Sequence, residues 1–187
     1  MSSLAIFAAG AALVLLIVFL RDRLAGFRAQ RPGDYAAQGP RFDLRHHLNG
    51  PIKCEGVIYG PLGRVTSRFS ADFEAKWEGS RGVMREHFLY DSGNRHNREW
   101  QLELGNDGTI RAEADDLVGP GRGRQDGSAL HLIYRIRLPQ DAGGHVLSVT
   151  DWMYLAPNGV IVNRSQFRKF GIKVAELVAT MRKVDTA

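Results

Sequence analysis

Polar and apolar residues alternate for thirteen positions between Val65 and Trp77, and this pattern limits the chain more than any other feature. Val65, Ser67, Phe69, Ala71, Phe73, Ala75 and Trp77 fall on one face; Thr66, Arg68, Ser70, Asp72, Glu74 and Lys76 fall on the other. Helical spacing would mix the two sets, so the segment reads as a strand with one wet face. The same period of two returns in Arg98–Leu104 and in Leu130–Leu138. In the first, Trp100, Leu102 and Leu104 point inward; in the second, Leu130, Leu132, Tyr134, Ile136 and Leu138 share a face. Val146–Leu155, Val160–Phe167 and Ile172–Lys183 follow, with shorter runs at Ile52–Tyr59, Val83–Tyr90 and Thr109–Ala114.

Turn signals separate these runs: Pro61-Leu62-Gly63, Asp91-Ser92-Gly93, Asn106-Asp107-Gly108, Gly143-Gly144 and Pro157-Asn158-Gly159. Asn and Gly tolerate the positive φ that tight hairpins need. About nine antiparallel strands joined by short hairpins, with one apolar face, make an up-and-down meander. Such a sheet loses its open edges most simply by closing into a barrel. The expected fold is therefore an all-β, lipocalin-like or calycin-like barrel.

The N-terminus obeys a different rule. Leu4 to Leu20 is a seventeen-residue run without charge, and with no polar stripe of the kind a core helix carries. At 1.5 Å per residue it covers most of a hydrocarbon core about 30 Å thick. A cleaved signal peptide needs a basic region before such a run and small residues after it. Here Arg21, Asp22 and Arg23 follow directly, so the run reads as an uncleaved transmembrane anchor. Arg21, Arg23, Arg28 and Arg31 against Asp22 give this flank a charge of +3, suited to lipid phosphates. The remainder, from Pro32 on, holds 21 Lys and Arg against 19 Asp and Glu, which argues against a nucleic-acid footprint. The expected organisation is an anchor over 1–23, a juxtamembrane linker over 24–41 and a barrel domain over 42–187, with a short turn of helix at Phe42–Leu48.

Few residues carry chemistry. Cys54 is the single cysteine, so no disulfide forms within the chain, and it reads as a half-buried strand residue. Asp115 and Asp116 lie in the least strand-like stretch, Ala114 to Gly123. They would serve as an acid–base pair or as cation ligands, but adjacent residues on an extended chain point apart. The simpler reading is a bulged turn with Asp side chains bonding local N–H groups. Gly119, Gly121 and Gly123 lack the following helix that a phosphate loop requires. In Asp151-Trp152-Met153-Tyr154, Trp152 and Tyr154 share one face while Asp151 and Met153 share the other. An inward Asp151 needs a partner, and Arg164, across the Pro157-Asn158-Gly159 hairpin, is the expected one. Histidines 46, 47, 87, 96, 131 and 145 show no metal spacing; His87 could approach His96 across a hairpin, which is too few ligands for zinc. No nucleophile motif is present.

Several of these motifs occur together in order. Phe42 with Asn49-Gly50, Arg68-Phe69, Trp77-Glu78-Gly79, Glu86-His87-Phe88 and Arg98-Glu99-Trp100 are followed by Asp115-Asp116-Leu117-Val118-Gly119, Asp151-Trp152-Met153-Tyr154-Leu155, Asn163-Arg164 and Lys169-Phe170-Gly171. From about Tyr35 to Lys183 the chain resembles an uncharacterised bacterial family, domain of unknown function 3833. The resemblance implies a lipocalin-like barrel without established catalytic residues or cofactor. Many members resemble lipoproteins, whereas this chain has an apolar helix in place of a lipidated cysteine. Relatives are often encoded beside enzymes that modify membrane fatty acids. The resemblance thus implies a bacterial inner-membrane protein with its domain on the periplasmic side; the arginines after the anchor favour the cytoplasmic side.

Three functions fit. The first is a binding barrel for an apolar or lipid-like ligand, lined by Trp77, Trp100, Trp152, Phe69, Phe73 and Tyr134, with Asp151 and Arg164 as the polar contact. The second is an enzyme acting on lipids or oxidised lipids through Asp115, Asp116, Glu86, His87, Asp151 and Arg164. The third is a scaffold for fatty-acid-modifying enzymes, with a filled barrel and an exposed apolar patch.

Overall fold

The structure, a computed structural model, describes residues 2–184; the expected domain limits at 1 and 187 lie outside the described residues. Ten strands form one closed antiparallel barrel in which each strand pairs with its neighbours in sequence and the last pairs with the first. They are β1 Gly50–Tyr59, β2 Val65–Glu78, β3 Arg81–Tyr90, β4 Arg95–Leu104, β5 Thr109–Glu113, β6 Gly121–Asp126, β7 Ala129–Arg137, β8 Val146–Leu155, β9 Ile161–Lys169 and β10 Ile172–Lys183. The alternation over Val65–Trp77 becomes β2, with Phe69, Ala71, Phe73 and Ala75 buried inside.

The strand absent from the sequence reading is β6, in Gly-Arg-Gly-Arg-Gln-Asp. Only its backbone pairs it, to β5 and β7, and no apolar alternation announces it. Glycine is what the position tolerates: a Cβ on Gly123 would lie 2.2 Å from the His131 carbonyl oxygen.

The two ends of the barrel differ. At one end the helical turn α2, Leu44–His47, plugs the interior. Phe42, Leu44 and Leu48 are buried there, and the Trp77 indole donates to the Leu48 carbonyl at 2.7 Å. The Phe42 N–H donates to the Gly127 carbonyl, and Leu44 N–H to Gln125 Oε1. At the other end the inward residues Ile58, Phe88, Tyr90, His96 and Phe167 are only half-buried, so this end is the mouth.

The helix α1, Ser3–Leu24, is apolar on all sides, none of it is buried, and it is long enough to cross a membrane, a property that it shares with a signal sequence. From its last turn, where Asp22 meets Arg168 at 3.5 Å near the mouth, the chain runs down the outside of β7–β9 as a strap. Phe27 lies under the Arg164 guanidinium, whose centre is 4.8 Å from the ring. Tyr35 packs on Trp152 and Tyr154, each 5.4 Å away between ring centroids. Tyr154 donates from its hydroxyl to Gln30 Oε1 at 2.6 Å. The strap then reaches Gly127, whose φ of +50° and contact with the Tyr35 carbonyl leave no room for a side chain. Trp152, only 1% exposed, is thus buried on the outer face of the barrel by the strap.

Truncating the plug should be costly because the cavity it leaves cannot collapse in a closed barrel. Phe42→Ala is expected to destabilise by about 3–5 kcal/mol in urea unfolding. Phe170→Ala, at a side chain 94% exposed, is expected to change stability by less than ~0.5 kcal/mol.

Candidate functional site

Strand parity decides which polar side chains share the barrel interior. On β3, Glu86 follows Met84 and precedes Phe88 on the inward face; on β4, Arg98 lies on the inward face with Trp100, and the register sets it opposite Glu86. On β8, Asp151 sits inward between Val149 and Met153, and on β9 Asn163 and Ser165 lie beside it. These five and Tyr134 supply the polar lining of a cavity of about 100 Å³. The rest of the lining is apolar, with Phe69, Phe73, Trp100 and Leu132 among it. Clefts that hold drug-sized ligands measure ~300–1,000 Å³, so this space takes a small molecule or one end of a longer one.

Asp151 is held by two neutral donors. Asn163 Nδ2 donates to its Oδ1, as does Ser165 Oγ at 2.8 Å. Burial holds its carboxyl above the usual carboxylate range despite these donors. Glu86 has no salt-bridge partner among the described residues. Burial pushes its carboxyl up to about 7, against the opposing charge of Arg98. Burial likewise pushes Tyr134 well above its ordinary value, with the charge of Asp151 adding to the effect. Cys54, buried beside the cavity, is pushed up to about 12 by burial and is an unreactive thiol.

Arg98 serves two purposes. β4 pairs with β5 only from Gln101 to Leu104, and β7 pairs with β6 only from Ala129 to Ile133. Near the mouth the wall between β4 and β7 is therefore filled by the loop 114–120, bridged to β7 at Leu117–Ile136. Arg98 crosses this seam and pairs with Asp116 through Nη2 and, at 3.0 Å, through Nε. Its guanidinium also stacks over Trp100 at 5.3 Å, and the Trp100 ring meets Tyr134 edge-on at 5.4 Å. Side chains seal the wall where backbone pairing is missing.

Several sequence expectations need correcting. Arg164 does not pair with Asp151. The register sets Arg164 opposite Trp152 and Asp151 opposite Ser165, so Arg164 points outward to Glu176 at 2.6 Å. Trp152 lines no part of the cavity, for the same reason of parity. Trp77 is in the plug rather than the lining. Asp116 bonds Arg98 and not its local N–H groups, while Asp115 is exposed. His87 faces solvent, where its Nδ1 lies 2.9 Å from Asn97 Oδ1; the residue opposite it is Asn97 and not His96. Phe69, Phe73, Trp100, Tyr134, Asp151 and Glu86 do come together. Arg98, Asn163 and Ser165 were missed, although a polar residue on the face that carries Trp100 or Ile161 was a readable signal. No group of three metal-ligating side chains occurs among the described residues.

Residues 22–183 match the family described as protein of unknown function (DUF3833). No protein of curated function matches the sequence. Among solved structures, the S-type phycobiliprotein lyase CPES from Guillardia theta superposes with a TM-score of 0.54 at 7% identity, over 77% of this chain and 92% of that one. A redesigned β-barrel, mFAP1, bound to DFHBI, gives a TM-score of 0.42 at 9% identity, over 74% and 97% of the two chains. The likeness to the lyase is one of fold.

Glu86 links stability to pH. Its folded value, about 7, exceeds the ordinary 4.5, so between these the folded state keeps a proton that the unfolded state releases. Stability therefore falls as pH rises through this window, by roughly 3 kcal/mol at most. Urea unfolding of wild type and Glu86→Gln at pH 5 and pH 8 is expected to show wild type losing stability relative to the variant at pH 8.

Proposed function

The chain belongs to the DUF3833 family, and from that premise we propose that it is a membrane-anchored barrel that binds one end of an apolar, lipid-like molecule bearing a hydrogen-bonding group. The observation that carries this reading is the polar cluster of Glu86, Arg98, Tyr134, Asp151, Asn163 and Ser165 around an otherwise apolar cavity. A barrel that served only as a scaffold would do better with a filled apolar core, because buried carboxyls cost free energy unless something bonds them. Glu86 has no charge partner within 4.0 Å among the described residues and burial pushes its carboxyl up to about 7, so it is suited to donate to or accept from a ligand head.

The anchor is α1, held to the barrel through Asp22 and Arg168, with Arg21 and Arg23 in its last turn and Arg28 and Arg31 after it at the level of lipid headgroups. The location proposed is the bacterial inner membrane. Resemblance to lipoproteins supports the periplasmic face for the barrel, and the arginine flank supports the cytoplasmic face; protease protection in sealed vesicles separates the two.

A second reading, an enzyme acting on lipids or oxidised lipids, is favoured by one observation. A carboxyl titrating near 7 beside an arginine and a tyrosine is suited to general acid–base work.

Native mass spectrometry and lipid extraction of the detergent-solubilised full-length protein test the binding reading. A stoichiometric acyl-chain ligand is expected on wild type. It is expected to be lost from Met153→Trp, which fills the cavity, with far-UV circular dichroism unchanged. A bare protein mass across a panel of lipids would overturn the reading.

A further inference from the structure

The order of contacts along the strap fixes which end of the barrel lies next to the anchor. Asp22 meets Arg168, Phe27 meets Arg164 four residues further from the mouth, Tyr35 meets Trp152 and Tyr154, and Phe42 enters the plug. The chain therefore descends from mouth to plug, and α1 leaves the barrel at the mouth. None of α1 is buried, so it projects away from the wall rather than lying along it.

Two neighbouring hairpins on the rim of that same end carry large apolar side chains at their tips, whereas the β3–β4 hairpin on the same rim, Asp91-Ser92-Gly93-Asn94, is polar and exposed. Leu62, at the tip of the β1–β2 hairpin, is 91% exposed, and Phe170 and Ile172, at the β9–β10 hairpin, are 94% and 70% exposed. The two hairpins are neighbours because β1 pairs with β10. Phe170 also holds a φ of +52°, a left-handed conformation that turns a large ring outward where glycine would be the unstrained choice. Lys169 lies over the Phe170 ring, 5.7 Å from its centre, and Arg64 and Lys173 flank the two tips. Aromatic and aliphatic tips ringed by cations are suited to the headgroup–acyl boundary, where apolar groups bury and cations meet phosphates.

We infer that Leu62, Phe170 and Ile172 dip into the bilayer that holds α1, and so press the mouth of the barrel against the lipid surface. The inference rests on the anchor reading above. It adds that a ligand passes between the bilayer and the cavity without crossing water, since the half-buried ring of Ile58, Phe88, Tyr90 and Phe167 is at this end.

Full-length protein carrying Phe170→Cys or Asn106→Cys is reconstituted in vesicles of phosphatidylethanolamine and phosphatidylglycerol, and the new cysteine is spin-labelled. Cys54 is 2% exposed and stays unlabelled. Asn106 lies at the β4–β5 turn, at the plugged end. The label at 170 is expected to be accessible to molecular oxygen and shielded from a water-soluble nickel chelate, while the label at 106 shows the reverse. A label at 170 that is as open to nickel as the one at 106 overturns the inference but leaves the anchor intact, provided that the protein floats with the vesicles. A label shielded from both quenchers reports a protein contact and overturns it as well. Failure to float with the vesicles removes the anchor reading and this inference together.

Discussion

Closure of the sheet, with β1 hydrogen-bonded to β10 from Ile52 to Tyr59, sets what every other part of the molecule can do. A closed sheet has no edge to align with another chain, and each strand must send alternate side chains into one shared interior. Glu86, Arg98, Asp151, Asn163 and Ser165 thus come from four strands into a single space, although nothing in the local sequence of one strand refers to another. Closure is incomplete in one place. Where β5 and β6 are too short to span the wall, Arg98 and Asp116 supply the connection. The same guanidinium that completes the wall is the nearest compensation for Glu86, so wall and cavity electrostatics are coupled through one residue.

The segment from Asp22 to Leu48 is the second constraint. It covers the outer face of β8, which is why Trp152 is buried without reaching the interior, and then turns under the barrel to plug it. One end is thereby sealed, the other stays half-open, and the apolar helix α1 leaves the barrel beside the open one. The helix and the mouth share one end because a single stretch of chain runs from α1 past Arg168 to the plug.

Much of this was readable from side-chain period. The alternation of Val65–Trp77, Leu130–Leu138 and Val146–Leu155 maps onto β2, β7 and β8, and the apolar run before Arg21 onto α1. β6 was not readable, because Gly121–Asp126 has no apolar side chain and is held by backbone pairing to its neighbours. The pairing of Asp151 with Arg164 failed by one position. The hairpin sets Leu155 opposite Ile161, and counting back along both strands brings Arg164 to Trp152, on the outer face. A slip of one residue turns a side chain from one face to the other. Trp152 misled because both faces of β8 are buried, one by the barrel and one by the strap. Arg98 was legible as a charge on an apolar face, but its partner Asp116 lies in a loop, where period carries no information.

Ligand binding here depends on Glu86 being a buried carboxyl that faces the cavity with no charge partner among the described residues. Its titration, followed by ¹³C NMR of the side-chain carboxyl in the detergent-solubilised protein, tests this directly. A midpoint near 7 that shifts when an acyl-chain lipid is added is the expected result. A midpoint at the ordinary 4.5, unmoved by lipid, would show that the carboxyl is solvated or already satisfied, and would contradict the binding reading.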